Sequence, residues 1–85
     1  MNDFSLTGLQ ALAQQYKDLE VDYLILTIVG ATKYPEIIIN PRANIEEKIG
    51  YISHSYNEDL TLKAAPHIKI AKYEFVTAAQ LRDYF

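Results

Sequence analysis

Two polar side chains near the middle of the chain have a spacing that could support metal chemistry. His54 and Glu58 are four residues apart, so on a helix they would lie one turn apart and could share a metal ion. A site with two ligands and no third one nearby is incomplete, and the two-histidine helix motif of zinc proteases is absent from the sequence. The spacing favours an ordinary surface pair, and we predict no metal site.

The tripeptide Ser53-His54-Ser55 holds the residue types of a nucleophile and a general base. Neighbouring residues in a helix do not face each other, however, and no nucleophile elbow surrounds this tripeptide. Gly8 and Gly30 stand alone, so neither of the common phosphate-binding loops is present. We therefore predict a protein that is not an enzyme, with no catalytic residues and no cofactor.

Composition narrows the functional classes further. The 85 residues include no cysteine, which excludes disulfides and thiolate metal sites, and the net charge of −3 gives no basic footprint for nucleic acid. The N-terminus lacks the basic and apolar regions of a secretory signal, and the longest apolar run is too short to cross a bilayer as a helix. We expect a single domain over residues 1–85, a cytoplasmic location and no contact with membranes.

The predicted fold is organised around residues 21–29, VDYLILTIV, and residues 36–40, EIIIN. Both segments are rich in β-branched residues and bounded by turn residues, which is typical of buried strands. The first segment is apolar on both faces and therefore belongs in the centre of a sheet. The short connection between the two segments predicts an antiparallel hairpin.

A third strand is predicted over residues 67–75, HIKIAKYEF. Its apolar residues change sides, because Ile68 and Ile70 share one parity whereas Tyr73 and Phe75 share the other. A β-bulge near Ala71 would explain the change.

Helical spacing of apolar residues predicts a helix before the first strand, a second before the third strand and a short one at the C-terminus. We expect Gly50, in the second helix, to allow close packing against the sheet. Three capping boxes are predicted: Thr7 with Gln10 in preference to a cap at Ser5, Asn44 with Glu47, and Thr77 with Gln80. The predicted buried faces are Leu9, Leu12, Tyr16 and Leu19; Ile45, Ile49, Ile52 and Tyr56; and Ala78, Leu81 and Phe85.

The element order is αββαβα, which defines an α+β fold. We predict a three-stranded antiparallel sheet in the order 2-1-3, because this order places the most apolar strand in the middle. Two helices would pack on one face of this sheet, and a short C-terminal helix would follow the third strand.

The segments IIINPRANIEEKIGYI and YNEDLTLK, with PHIKIAKYEF after them, resemble small uncharacterised proteins of phages and prophages of Gram-positive bacteria. The likeness covers roughly residues 21–75 and consists of apolar and turn positions. It implies a protein of the host cytoplasm that acts on, or assembles with, other proteins. It assigns no functional residues.

Two helices can cover only one face of a three-stranded sheet, and the short terminal helix adds little apolar surface. An apolar face left open on a small protein indicates an interface. We therefore predict a non-enzymatic module that forms a homodimer or binds a host or phage protein. The predicted interface residues are Tyr23, Ile25, Val29 and Ile38.

The alternative function is weak binding of single-stranded nucleic acid by the basic stretch 63–73. This stretch combines lysines with an aromatic residue that could stack on a base. The acidic total charge favours the protein interface over this alternative. The residues that would bind nucleic acid are Lys63, Lys69, Lys72 and Tyr73.

Overall fold

The computed structural model describes residues 4–16 and 20–83. In these two ranges, no helix combines the length and the apolar character that a membrane span requires. Over the described part of the chain, four strands form one antiparallel sheet in the order β2-β1-β4-β3. In chain order the elements are α1 (Leu6–Tyr16), β1 (Tyr23–Val29), β2 (Glu36–Pro41), α2 (Arg42–Ser55), β3 (Thr61–Leu62), β4 (Ala65–Val76) and α3 (Ala78–Arg82).

The α+β class is confirmed, but the prediction of a three-stranded sheet is wrong. The segment between α2 and β4 adds the two-residue strand β3, which folds back on the start of β4. Two residues are too few to show the alternation of a strand, so the pattern did not reveal β3. The predicted order of the three longer strands is confirmed, since β1 lies between β2 and β4.

The predicted bulge near Ala71 is confirmed. Thr27 in β1 pairs with Lys72, whereas the next residue, Ile28, pairs with Ile70, so Ala71 is the extra residue of the bulge. The extra residue brings Ile70 onto the face of the sheet that the helices cover.

One face of the sheet, which we call the covered side, packs against α1 and α2. Leu24 and Leu26 of β1 are fully buried there, together with Leu9 of α1 and with Ile45 and Ile52 of α2. Each buried side chain of this size contributes about 1.5–3 kcal/mol to folding. The covered side therefore holds the main core.

The opposite face, which we call the outer side, is closed only in part. Ile25 of β1 and Val76 of β4 are 2% and 1% exposed. The helix α3 packs against β4, and the Ala78 N–H donates a 2.8 Å hydrogen bond to the Asp22 carboxylate before β1. The outer side is thus buried near the β1–β4 pair.

The first helix is capped by Ser5, so the preference for a cap at Thr7 is wrong. The Ser5 hydroxyl accepts a 3.0 Å hydrogen bond from the Gly8 N–H. The Thr7 hydroxyl donates to Glu58 instead of capping its own helix. The cap at Ser5 places Phe4 immediately before the helix.

The second helix begins earlier than predicted, whereas the third begins as predicted. α2 starts at Arg42, directly after Pro41, so Asn44 lies inside the helix. No side chain caps the N-terminus of α2. The capping box of Thr77 with Gln80 is confirmed, with both reciprocal hydrogen bonds present.

Packing positions on all three helices differ from the predictions, and on α3 the predicted core residue Ala78 is exposed. A Cβ built on Gly50 meets no atom of the described residues within 4 Å, so this glycine faces open space rather than the sheet. Leu12 is 40% exposed, and Ala13 is buried in its place. The predicted core positions Leu19 and Phe85 lie outside the described residues.

Candidate functional site

The four residues predicted to form an interface do not lie on one face of the sheet. Tyr23, Ile25 and Val29 point to the outer side of β1, where Ile25 is already buried. Ile38 pairs with Leu26 and packs against the core on the covered side. Cross-strand partners share a face, so the register with Leu26 fixes the side of Ile38.

The open part of the outer side lies on β2, the strand at one edge of the sheet. Ile37, which pairs with Thr27, is 52% exposed, and Ile39 is partly exposed. Tyr34, in the turn that precedes β2, is 70% exposed. We call Tyr34, Ile37 and Ile39 the β2 surface.

The turn between β1 and β2 holds Tyr34 in a defined position. The Thr32 hydroxyl donates a 2.7 Å hydrogen bond to the Tyr34 carbonyl oxygen, and the Lys33 ammonium lies 5.9 Å from the centre of the Tyr34 ring. Gly30 starts the turn at φ +89, and a Cβ there would collide with the His67 carbonyl oxygen of β4. This close approach requires glycine.

The predicted nucleic-acid residues are not brought together. Tyr73 is 6% exposed on the covered side, where its ring cannot stack on a base. Lys69 and Lys72 point to the outer side, and the Lys72 ammonium lies 3.7 Å from the Glu74 carboxylate. Lys63 is in the turn between β3 and β4. The structure therefore separates the aromatic residue from the lysines.

Glu58 is held by α1 rather than paired with His54. The Thr7 hydroxyl donates a 2.6 Å hydrogen bond to Glu58 Oε1, and the Thr7 N–H lies 3.2 Å from the same oxygen. The Leu6 N–H donates to the Glu58 carbonyl oxygen at 2.8 Å. A carboxylate at a helix N-terminus satisfies free N–H groups and the helix dipole. Over the described residues, no three metal-ligating side chains cluster together.

Ser53 links the two helices of the covered side. Its hydroxyl donates a 2.8 Å hydrogen bond to the Ile49 carbonyl oxygen and accepts one of 2.9 Å from the Gln10 side-chain amide. The hydrogen bond from Gln10 thus joins α1 to α2, whereas the bond to Ile49 lies within α2.

The loop after α2 contains an unusual backbone conformation at Leu60. Its φ is +66 although its side chain is fully buried. Next to it, the Asp59 carboxylate accepts a 2.6 Å hydrogen bond from the Thr61 hydroxyl and a 3.1 Å bond from the Thr61 N–H. These two bonds, above all the one from the hydroxyl, hold the pKa of Asp59 below the usual value of an aspartate. The loop is a structural turn that positions β3.

A groove of about 260 Å³ lies between α1 and the edge of β4. The Tyr16 ring stacks on the Phe75 ring with centres 5.4 Å apart, which joins the two walls. Sequence reasoning missed this groove because helical spacing placed Leu12 in the core. The α1–β4 groove is lined by Leu12, Gln15, Tyr16, Val21, Tyr73, Glu74 and Phe75.

Comparison with known proteins assigns the chain to no family. No protein-family profile, no curated protein and no solved structure matches the chain.

Proposed function

We propose that the protein is a non-enzymatic interaction module that binds a second copy of itself through the β2 surface. The observation that carries the proposal is Ile37, an isoleucine that keeps 52% of its surface exposed on an edge strand. Soluble proteins usually cover or charge such an edge, because its free N–H and C=O groups invite pairing. An exposed apolar edge strand is therefore suited to association.

A second copy is the simplest partner for this surface. Two β2 edges related by a two-fold axis would run antiparallel and satisfy the free backbone groups of both strands. Closed two-fold dimers are also the most common oligomers of soluble proteins. The outer side away from β2 is already buried at Ile25 and Val76, which confines the proposed interface to the β2 surface.

The resemblance to small phage and prophage proteins supports the same class of function. Such a module would work in the host cytoplasm, alone as a homodimer or assembled with a host or phage protein. The alternative of nucleic-acid binding has less support, because Tyr73 is buried on the side opposite Lys69 and Lys72.

Sedimentation equilibrium of the wild-type protein and two variants tests the proposal. Ile37→Glu places a charge in the proposed interface, so we expect the dimer to dissociate at least tenfold more readily. Tyr51→Glu is the matched control, because Tyr51 is 53% exposed on α2, on the other side of the sheet. We expect Tyr51→Glu to dimerise with the same affinity as the wild-type protein.

Two outcomes would contradict the proposal. One is a monomeric mass for the wild-type protein up to millimolar concentration. The other is a dimer that Tyr51→Glu weakens and Ile37→Glu leaves intact, which would move the interface to α2.

A further inference from the structure

We infer that the α1–β4 groove binds an extended peptide segment that carries an apolar side chain next to a lysine or arginine. The peptide would add to the edge of β4 as a strand. The α1–β4 groove is separate from the β2 surface, and peptide binding there would be a function beyond self-association.

The first observation is the backbone edge of β4 between Tyr73 and Val76. On one side these residues pair with β1, and on the other side β3 reaches only as far as Lys69. Within residues 4–16 and 20–83, no strand pairs with the segment from Tyr73 to Val76 on that second side. The N–H and C=O groups of a strand point alternately to its two neighbours, so this edge can hydrogen-bond an added strand.

The second observation is that the groove lies directly along this edge. Tyr73, Glu74 and Phe75 are consecutive, and their side chains point alternately to the two faces of the sheet. A groove that touches all three must therefore reach the edge of the strand. A peptide paired with this edge would place its side chains in the groove.

The third observation is the size and polarity of the α1–β4 groove, which limit what it can bind. A volume of about 260 Å³ is below the usual range for small-molecule and cofactor sites, but it can hold one or two large side chains. The wall on α1 includes Leu12, which is 40% exposed and has no role in the core cluster. The groove thus suits a single apolar anchor.

The fourth observation is the charge at the groove. Among the lining residues that the structure describes, Glu74 is the one that carries a formal charge, and its side chain is 43% exposed. The ion pair with Lys72 at 3.7 Å is also exposed, and such pairs contribute little. With a net charge of −3 on the whole chain, the groove favours a cationic peptide over an anionic one.

Binding of defined peptides to the full-length protein tests the inference. The probe is a fluorescein-labelled peptide in which valine and threonine alternate between terminal lysines. One control peptide carries glutamates in place of the lysines, and another carries N-methyl groups on every backbone amide between the lysines. Fluorescence anisotropy gives the affinities, and amide NMR shifts locate the site.

We expect the lysine peptide to bind and to shift the amide signals of residues 73–76. The glutamate peptide should bind about fivefold more weakly, as one exposed charge contact predicts. The fully N-methylated peptide has no N–H group to donate from either edge between its lysines, so it cannot pair as a strand and should not bind.

Two protein variants separate this site from the β2 surface without changing the charge. Leu12→Gln should weaken peptide binding about tenfold, because it removes an apolar wall of the groove. Ile37→Gln should leave peptide affinity unchanged. Circular dichroism confirms that both variants are folded, as expected for exposed positions.

The inference is overturned if the lysine peptide does not bind, if the N-methylated peptide binds as well as its parent, or if the amide shifts fall on β2. If the wild-type protein is monomeric but the peptide still binds at residues 73–76, the proposed self-association is rejected and this inference stands.

Discussion

Ile37 and Ile38 are neighbours in β2, and the strand sends them to opposite sides of the sheet. Ile38 pairs with Leu26 and packs against the core, whereas Ile37 pairs with Thr27 and is 52% exposed. The same residue type therefore contributes to folding on the covered side and remains available for association on the outer side. Because both residues are isoleucine, hydrophobicity does not distinguish their two roles. The strand register does, because it decides which side of the sheet each residue faces.

The difference between the two sides follows from where the helices lie. α1 and α2 both pack on the covered side, and α3 packs against β4. The core therefore closes on one side, while β2 remains open on the other.

The largest contrast is between Leu26→Ala and Ile37→Ala. Leu26 is fully buried, so its truncation should leave a cavity and lower the free energy of unfolding by about 3.5 kcal/mol. Ile37→Ala should change it by less than about 0.5 kcal/mol in the monomer, as for other surface substitutions. Urea denaturation at low protein concentration measures both values. Similar losses for the two variants would mean that the outer side is also packed.

Gly30→Ala tests the contact that fixes the turn before β2. The positive φ of Gly30 and the collision of a Cβ with the His67 carbonyl oxygen should together cost about 2–3 kcal/mol. The measurement is again denaturation in urea, with Ala31→Gly in the same turn as a control of small effect. An unchanged midpoint for Gly30→Ala would show that the turn can move away from β4.

Glu58→Gln tests how firmly α1 is held on the covered side. Removing the charge weakens the hydrogen bonds from Thr7 and the favourable interaction with the helix N-terminus, so we expect a loss of about 1 kcal/mol. Glu46→Gln, on the exposed part of α2, changes the net charge equally and should have less than half that effect. Thermal unfolding at neutral pH distinguishes the two. Equal losses would assign the effect to net charge instead of to this contact.

Gly50→Ala should have the smallest effect and the opposite sign. The position is exposed and open, so alanine gains helix propensity without a clash, and stability should rise by about 0.8 kcal/mol. A higher unfolding temperature would agree with this expectation. A loss of stability would mean that α2 lies closer to its neighbours than the geometry indicates.

The sequence predicted which face each strand residue takes more accurately than it predicted the contacts of the helices. β1 and the bulge at Ala71 were predicted because alternation reports directly which face a side chain takes. Gly50 and Leu12 were misplaced because helical spacing defines a stripe but not how far a neighbouring element covers it. The two-residue strand β3 was too short to leave a pattern.

The candidate surfaces were predictable only in part, for a related reason. An open outer side followed from two helices facing one sheet, but the residues that are open depend on the strand register and on α3. Ile38 was therefore assigned to the interface and lies in the core, while Ile37 is the exposed neighbour. The α1–β4 groove depends on tertiary contacts between distant residues, such as the stacking of Tyr16 on Phe75.

The central claim is that a second copy of the chain covers the β2 surface. Methyl NMR with a dissolved paramagnetic agent measures this directly, because the agent broadens signals that solvent can reach. From micromolar to millimolar protein concentration, we predict that the Ile37 methyl signals become protected while those of Leu12, exposed in the α1–β4 groove, stay broadened. Ile37 methyl groups that stay equally accessible at every concentration would contradict the claim.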